Sequence, residues 1–170
     1  MDARRDSDAT PTKQQTTVER TSERELVVTR TVNGPAHLVF EAWTRADLFR
    51  QWWVPRSYGL NLVSCEMDVR VGGEYRLAFS HEGSTMEFFG TYLEVTPPSR
   101  LAWTNEEGDG GVTVTTVTFE DVDGRTLVVV RDLYPSKDAL DANVGSTGAM
   151  PEALDQLDEL LISLGPATTD

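Results

Sequence analysis

The sequence predicts an α+β fold: a curved antiparallel sheet wrapped around a long C-terminal helix, with two short helices after the first strand. Three observations predict it. Segments between residues 62 and 134 alternate apolar and polar side chains and are joined by short turns, the pattern of an antiparallel meander of six strands. Leu140, Val144, Thr147, Met150, Leu154, Leu157, Leu161 and Leu164 recur by threes and fours, the stripe of one long amphipathic helix. A sheet with one apolar face and a helix with one apolar stripe bury those surfaces against each other.

Each element follows from local chemistry. Residues 1–22 are Asp, Thr, Gln, Ser and Arg with almost no large apolar side chain, so they read as a disordered tail. The folded domain is expected over 23–164, with 165–170 as a second tail. Arg24 to Val32 reads as a strand, broken by Asn33-Gly34-Pro35. Pro35 is pre-set for a first helical turn, and Leu38, Val39, Ala42 and Trp43 recur at helical spacing. A second short helix runs from Arg45 to about Trp52, ended by Pro55. From 62 to 71, Val63, Cys65, Met67, Val69 and Val71 share an apolar face, while Ser64, Glu66, Asp68 and Arg70 share a wet one. Gly72-Gly73 turns the chain into Tyr75, Leu77 and Phe79, and His81-Glu-Gly83-Ser turns it again. Met86 to Val95 is stopped by Pro97-Pro98, Leu101 to Trp103 is short, and Asn105 to Gly111 is a Gly-rich acidic loop. Val112 to Phe119 and Thr126 to Tyr134 flank a turn at Asp121-Val-Asp-Gly124. Asp141, Glu152, Asp155, Asp158 and Glu159 form the solvated face of the last helix. Gly145, Gly148 and Pro151 within it either leave room for a pocket or mark a loop before the helix proper.

Composition bounds the function. The chain has 170 residues, enough for one domain that removes about 68–70% of its unfolded surface from water. With 28 Asp plus Glu against 15 Lys plus Arg, its formal charge is −13, which repels nucleic-acid phosphates and anionic membranes. No apolar run reaches the eighteen or so residues of a membrane span, and no apolar stretch follows Arg4-Arg5 to make a signal. A soluble, cytoplasmic protein is expected. The single cysteine excludes an internal disulfide, and two histidines leave few metal ligands, so no metal or cofactor is expected. There is no Ser-His-Asp ordering and no phosphate loop, since no helix follows Gly72-Gly73.

The candidate ligand contacts are the large and polar side chains facing the gap between sheet and helix: Trp43, Trp53, Cys65, Met67, Tyr75, Phe79, Phe88, Tyr92, Trp103, Asp132, Met150 and Leu154. Several have a plainer reading. Trp52 and Trp53 either stack a flat ligand or pack the short helices onto the sheet. Cys65 has no activating neighbour in sequence and reads as a small pocket or core residue. Met67, Met86 and Met150 make an adaptable surface or fill a core. Asp68 and Arg70 read as an ion pair fixing a turn, and His37 and His81 as surface residues. Asp132 is the sharpest polar candidate. If the face of Thr126, Val128 and Val130 looks inward, a carboxylate with a raised pKa stands in an apolar cavity. If the alternate face looks inward, Arg131 is the anchor.

Arg30, Trp43-Thr44, Trp52-Trp53-Val-Pro55, the run Glu66 to Gly73, the run Gly90 to Leu101, Thr115 to Phe119 and Leu154-Asp-Gln-Leu157 together resemble the START-like (SRPBCC) superfamily. The branch they resemble is similar to the C-terminal domain of the activator of the 90-kilodalton heat-shock chaperone's ATPase. The resemblance covers about residues 24–164. It implies a helix-grip fold with a cavity between sheet and long helix, in a superfamily that binds lipids, polyketides and other apolar molecules. It departs from the pattern twice: about 22 polar residues stand where the chaperone activator has a large N-terminal domain, and Ala149-Met150 stand where many members carry Trp after a helix glycine.

Three functions follow as expectations. The first is binding of a small hydrophobic or aromatic ligand, lipid- or polyketide-like, for sequestration or resistance. The second is an enzyme resembling polyketide cyclases, with a pocket carboxylate or Tyr as acid/base. The third is a co-chaperone-like interaction domain that contacts a chaperone through the outer polar face of the sheet. The expected partner is the small ligand, with no nucleic acid and no membrane insertion, in a monomer or weak homodimer.

Overall fold

A computed structural model of the protein describes residues 16–106, 111–147 and 149–164, with the backbone alone described for 143–147 and 149. The elements run β1 (Thr17–Arg20), β2 (Glu25–Val32), α1 (Ala36–Thr44), α2 (Ala46–Phe49), a 3-10 turn (Arg56–Tyr58), β3 (Asn61–Met67), β4 (Glu74–His81), β5 (Ser84–Thr96), β6 (Arg100–Asn105), β7 (Thr113–Val122), β8 (Arg125–Leu133), α3 (Lys137–Thr147) and α4 (Ala149–Leu164). The eight strands form one antiparallel sheet in the order β1-β2-β8-β7-β6-β5-β4-β3. The sheet's inner face and the apolar side of α4 enclose one core, in which Val28, Val128, Val117 and Leu101 meet Leu154, Leu157 and Leu161. This is the helix-grip architecture that the meander and the terminal stripe predict.

Four local expectations are corrected. Thr17–Arg20, inside the stretch read as a tail, forms an exposed edge strand paired to Leu26–Thr29 of β2. Residues 1–15 and 165–170 lie outside the described residues. The strand expected to 71 ends at Met67, and the pairing with β4 shifts between Leu62 and Ser64. That bulge turns Val63 outward while Leu62, Cys65 and Met67 pack against the core; Val71, beyond the strand, is also exposed.

The apolar stripe of the last helix does not serve one core; the helix is described in two stretches, α3 and α4. Leu140 on α3 packs with Leu26 and Tyr134 in a cluster of its own, whereas the α4 leucines serve the main core. Gly148 between them lies outside the described residues. Pro151 stands in the first turn of α4, where its missing N–H costs no helical hydrogen bond. Finally, the acidic side of α4 is not uniformly solvated. Asp158 is buried, and its carboxylate accepts from Arg30 at 2.8 Å and from the Asn33 backbone N–H at 2.8 Å.

Two backbone features shape the region around the cavity. At Gly90, on β5, a Cβ would overlap the carbonyl oxygen of Thr104, so only glycine lets β5 and β6 approach this closely. The hairpin tips Glu82-Gly83 and Asp123-Gly124 both have positive φ at each residue, the twist that two-residue hairpin turns require.

Candidate functional site

Between the inner sheet face and α4 lies a cavity of about 370 Å³. The strand register explains its floor. Asp132 of β8 stands opposite Thr115 of β7, Thr115 opposite Trp103 of β6, and Trp103 opposite Tyr92 of β5. These four side chains therefore form one row across the sheet, all facing inward. Beyond that row stand Thr113, paired with Asn105, and Tyr75, paired with Gly90. The opposite wall comes from α1, α2 and the segment after α2: Trp43, Phe49, Trp53, Val54, Pro55 and Tyr58. Met150 and Ala153 of α4 close the roof. Tyr58 and Phe88 line the cavity and are also solvent-exposed, so they mark its mouth.

Of the twelve candidate ligand contacts, Trp43, Trp53, Met67, Tyr75, Phe79, Phe88, Tyr92, Trp103, Asp132 and Met150 line this cavity. Cys65 and Leu154 do not. Leu154 has no exposed surface and belongs to the solid core below the cavity. Cys65 packs against that core with its Sγ 3.6 Å from Met67 Sδ, and burial raises its thiol pKa. Met86 is exposed and lies outside the cavity. Trp52 is fully buried and donates its indole N–H to Ala42 O at 3.0 Å, which ties α1 to the segment after α2. Asp68 and Arg70 are an exposed pair at 3.0 Å, and His37 and His81 are exposed.

The choice between the two faces of β8 is made by geometry. Thr126, Val128, Val130 and Asp132 face inward; Arg131 faces outward, with a nitrogen 3.9 Å from Glu25.

Asp132 ends a chain of hydrogen bonds that sequence reasoning missed. The Tyr75 hydroxyl reaches across the side-chain gap at Gly90 to Thr104 O (2.8 Å) and Asn105 Oδ1 (3.0 Å). Asn105 Nδ2 donates to Thr115 Oγ1 at 2.9 Å, and the Thr115 hydroxyl donates to Asp132 Oδ1 at 2.5 Å. Every donor in the chain points toward the carboxylate. Burial outweighs the Thr115 hydrogen bond, and the carboxyl pKa is raised from 3.8 to about 6. Burial also pushes the Tyr92 phenol well above its usual range. Thr113 and Thr115 continue the inner face of Val117 and Phe119 at a period of two, so their period was a usable signal. Asn105 sits at a strand end, where period says little.

The wall after α2 is held by a side chain of α4. Gln156, buried, donates to Trp52 O (3.0 Å) and Val54 O (2.8 Å) and accepts from the Arg56 backbone N–H (2.9 Å). Glu152 accepts from Ser57 N–H at 3.0 Å. Trp43 is the centre of an aromatic group, with ring centroids of Trp52, Trp53, Phe119 and Trp103 within 4.8 to 6.0 Å. Its buried indole N–H has no hydrogen-bond partner among the described residues. The surrounding ring faces are the weak acceptors available to it.

Among the described residues no group of three His, Cys, Asp or Glu is placed to hold a metal ion, and no helix is long and apolar enough to cross a membrane.

The comparisons agree with this fold. A protein of Rhodobacter sphaeroides is 26% identical with a TM-score of 0.81, over 88% of this chain and 99% of that one. A Nitrosomonas europaea protein is 25% identical with a TM-score of 0.74, over 85% and 97%. An AHSA1-like protein from Aeromonas hydrophila shares the fold at 20% identity and a TM-score of 0.63, over 82% and 94%. No curated protein matches the chain. The model of the family described as Activator of Hsp90 ATPase homolog 1-like protein matches residues 33–162, from the end of β2 through almost all of α4. The chain therefore belongs to the Activator of Hsp90 ATPase homolog 1-like family, within the START-like superfamily.

Proposed function

We propose that the chain binds a small hydrophobic or aromatic molecule in the cavity between its sheet and α4, and so sequesters it. The observation that carries this reading is the lining: aromatic rings on floor and wall, with one polar patch at Asp132, Thr115 and Asn105. Ligand pockets combine apolar walls with a few placed polar groups in the same way, over a range of about 300–1,000 Å³. A volume of about 370 Å³ lies at the lower end of that range, which suits a molecule of two or three rings better than a long acyl chain. Affinity comes from apolar burial, at about 25 cal/mol per Å² before ordering costs.

Native mass spectrometry of freshly expressed protein tests the reading. The expected result is an added mass that leaves on extraction with organic solvent and, when restored, raises the unfolding temperature without being converted. A bare chain whose unfolding temperature no hydrophobic molecule shifts contradicts it.

A second reading, an enzyme resembling polyketide cyclases, is favoured by one observation. A carboxyl with a pKa of about 6 at the cavity floor holds or releases a proton near neutral pH. Under that reading Asp132→Asn abolishes turnover of the bound molecule while leaving it bound. Under the sequestration reading there is no turnover to lose.

A further inference from the structure

We propose that the cavity takes its guest as a cation: a small aromatic amine whose ammonium group sits on the free carboxylate oxygen of Asp132. This rests on the cavity being a binding site, and it names the class of ligand.

The argument starts from hydrogen-bond direction. Asp132 Oδ1 accepts from Thr115, and among the described residues no donor reaches Oδ2. The last two side-chain donors of the hydrogen-bond chain that ends at Asp132 are already committed. The Thr115 proton goes to Oδ1, and the Asn105 amide protons go to Thr115 Oγ1 and Thr113 O. On the flanking strand β2 the residue opposite Asp132 is Leu26, which donates nothing from its side chain.

Charge gives the same answer. Among the described residues Asp132 is the sole Asp, Glu, Lys, Arg or His that lines the cavity; the other titratable side chains there are the phenols of Tyr58, Tyr75, Tyr92 and Tyr134. The adjacent Arg131 lies on the opposite face, toward Glu25. An ionised carboxylate among apolar walls is favourable only with a partner. No described side chain of the cavity supplies one, and a ligand ammonium does. The rings of Trp103 and Tyr92, in the same row across the sheet, add faces that attract a cation. A ligand carboxylate, as in a fatty acid, meets a like charge at the same place. The formal charge of −13 raises the local concentration of cations around the whole chain.

Three probes with one ring system separate the possibilities: 2-(1-naphthyl)ethylamine, 2-(1-naphthyl)ethanol and 1-naphthaleneacetate, titrated by calorimetry into the full chain. At about pH 8 the amine is expected to bind about tenfold tighter than the alcohol, and the acid weaker than both. In Asp132→Asn the amine is expected to lose about tenfold while the alcohol changes by less than about twofold. In the unsubstituted protein the amine-to-alcohol ratio is expected to fall toward one at about pH 5, which keeps the test open should the variant fail to fold. Equal binding of all three probes, or tightest binding of the acid, overturns the amine assignment and leaves the cavity reading standing. No binding by any of them overturns both.

Discussion

Arg30 on β2 and Asp158 on α4 meet at 2.8 Å with both side chains buried, and they join the first long strand to the last helix. Arg30 also reaches Asp155 at 2.5 Å, and Asp158 accepts from the side chain and backbone of Asn33. Every polar atom brought into this contact thus has a partner. Such a network fixes where α4 lies on the sheet, and through α4 it fixes the cavity roof.

Removing one partner strands the other. Arg30→Met is expected to destabilise the fold by about 3–5 kcal/mol, because Asp158 is left buried and unpaired. Asp158→Leu alone is also expected to be costly. The two together are expected to cost less than their sum by about 0.5–3 kcal/mol, read from urea unfolding of the four proteins. Strict additivity contradicts a direct ion pair.

Asp132 gives a pH dependence of known sign. Its folded pKa of about 6 lies above the unfolded value of 3.8, so between those values the folded chain binds more protons than the unfolded one. Stability therefore falls as pH rises through that window, and above it the cost is about 3 kcal/mol. Asp132→Asn keeps an oxygen for Thr115 and removes the charge. It is expected to match the parent near pH 4 and to exceed it by up to about 3 kcal/mol at pH 8, measured by denaturant unfolding at each pH. Equal stability at the higher pH contradicts a desolvated carboxylate.

Gln156 is expected to hold the cavity wall. Gln156→Ala leaves two backbone carbonyls and one N–H without their partner, at a cost of about 1–3 kcal/mol for each group that water does not reach. Amide exchange of residues 52–57 is expected to accelerate more than that of β7 and β8. Uniform acceleration across the chain points to global destabilisation alone.

Much of the fold was legible because it is written in period. The alternation in β4 reads the inner face directly, whereas in β8 both faces are apolar, so Asp132 and Arg131 stay open in the sequence until the packing decides between them. The misreadings occur where period fails. One bulge at Val63 shifts the phase of β3, so a run that alternates perfectly in sequence does not alternate in space. Asp158 stands beside exposed Glu159 and three residues after partly exposed Asp155, and nothing local says that Arg30, far away in sequence, buries it. Asn105 and Gln156 act through side-chain hydrogen bonds to other segments, which leave no local mark.

A crystal structure of the protein grown with 1-bromonaphthalene locates a guest by the anomalous signal of its bromine. A bromine peak is expected inside the cavity, enclosed by Trp43, Trp103, Phe79 and Met150, with the ring system covering the row from Tyr92 to Asp132. A space closed over by those side chains, with bromine bound only on the outer surface, would contradict the cavity reading.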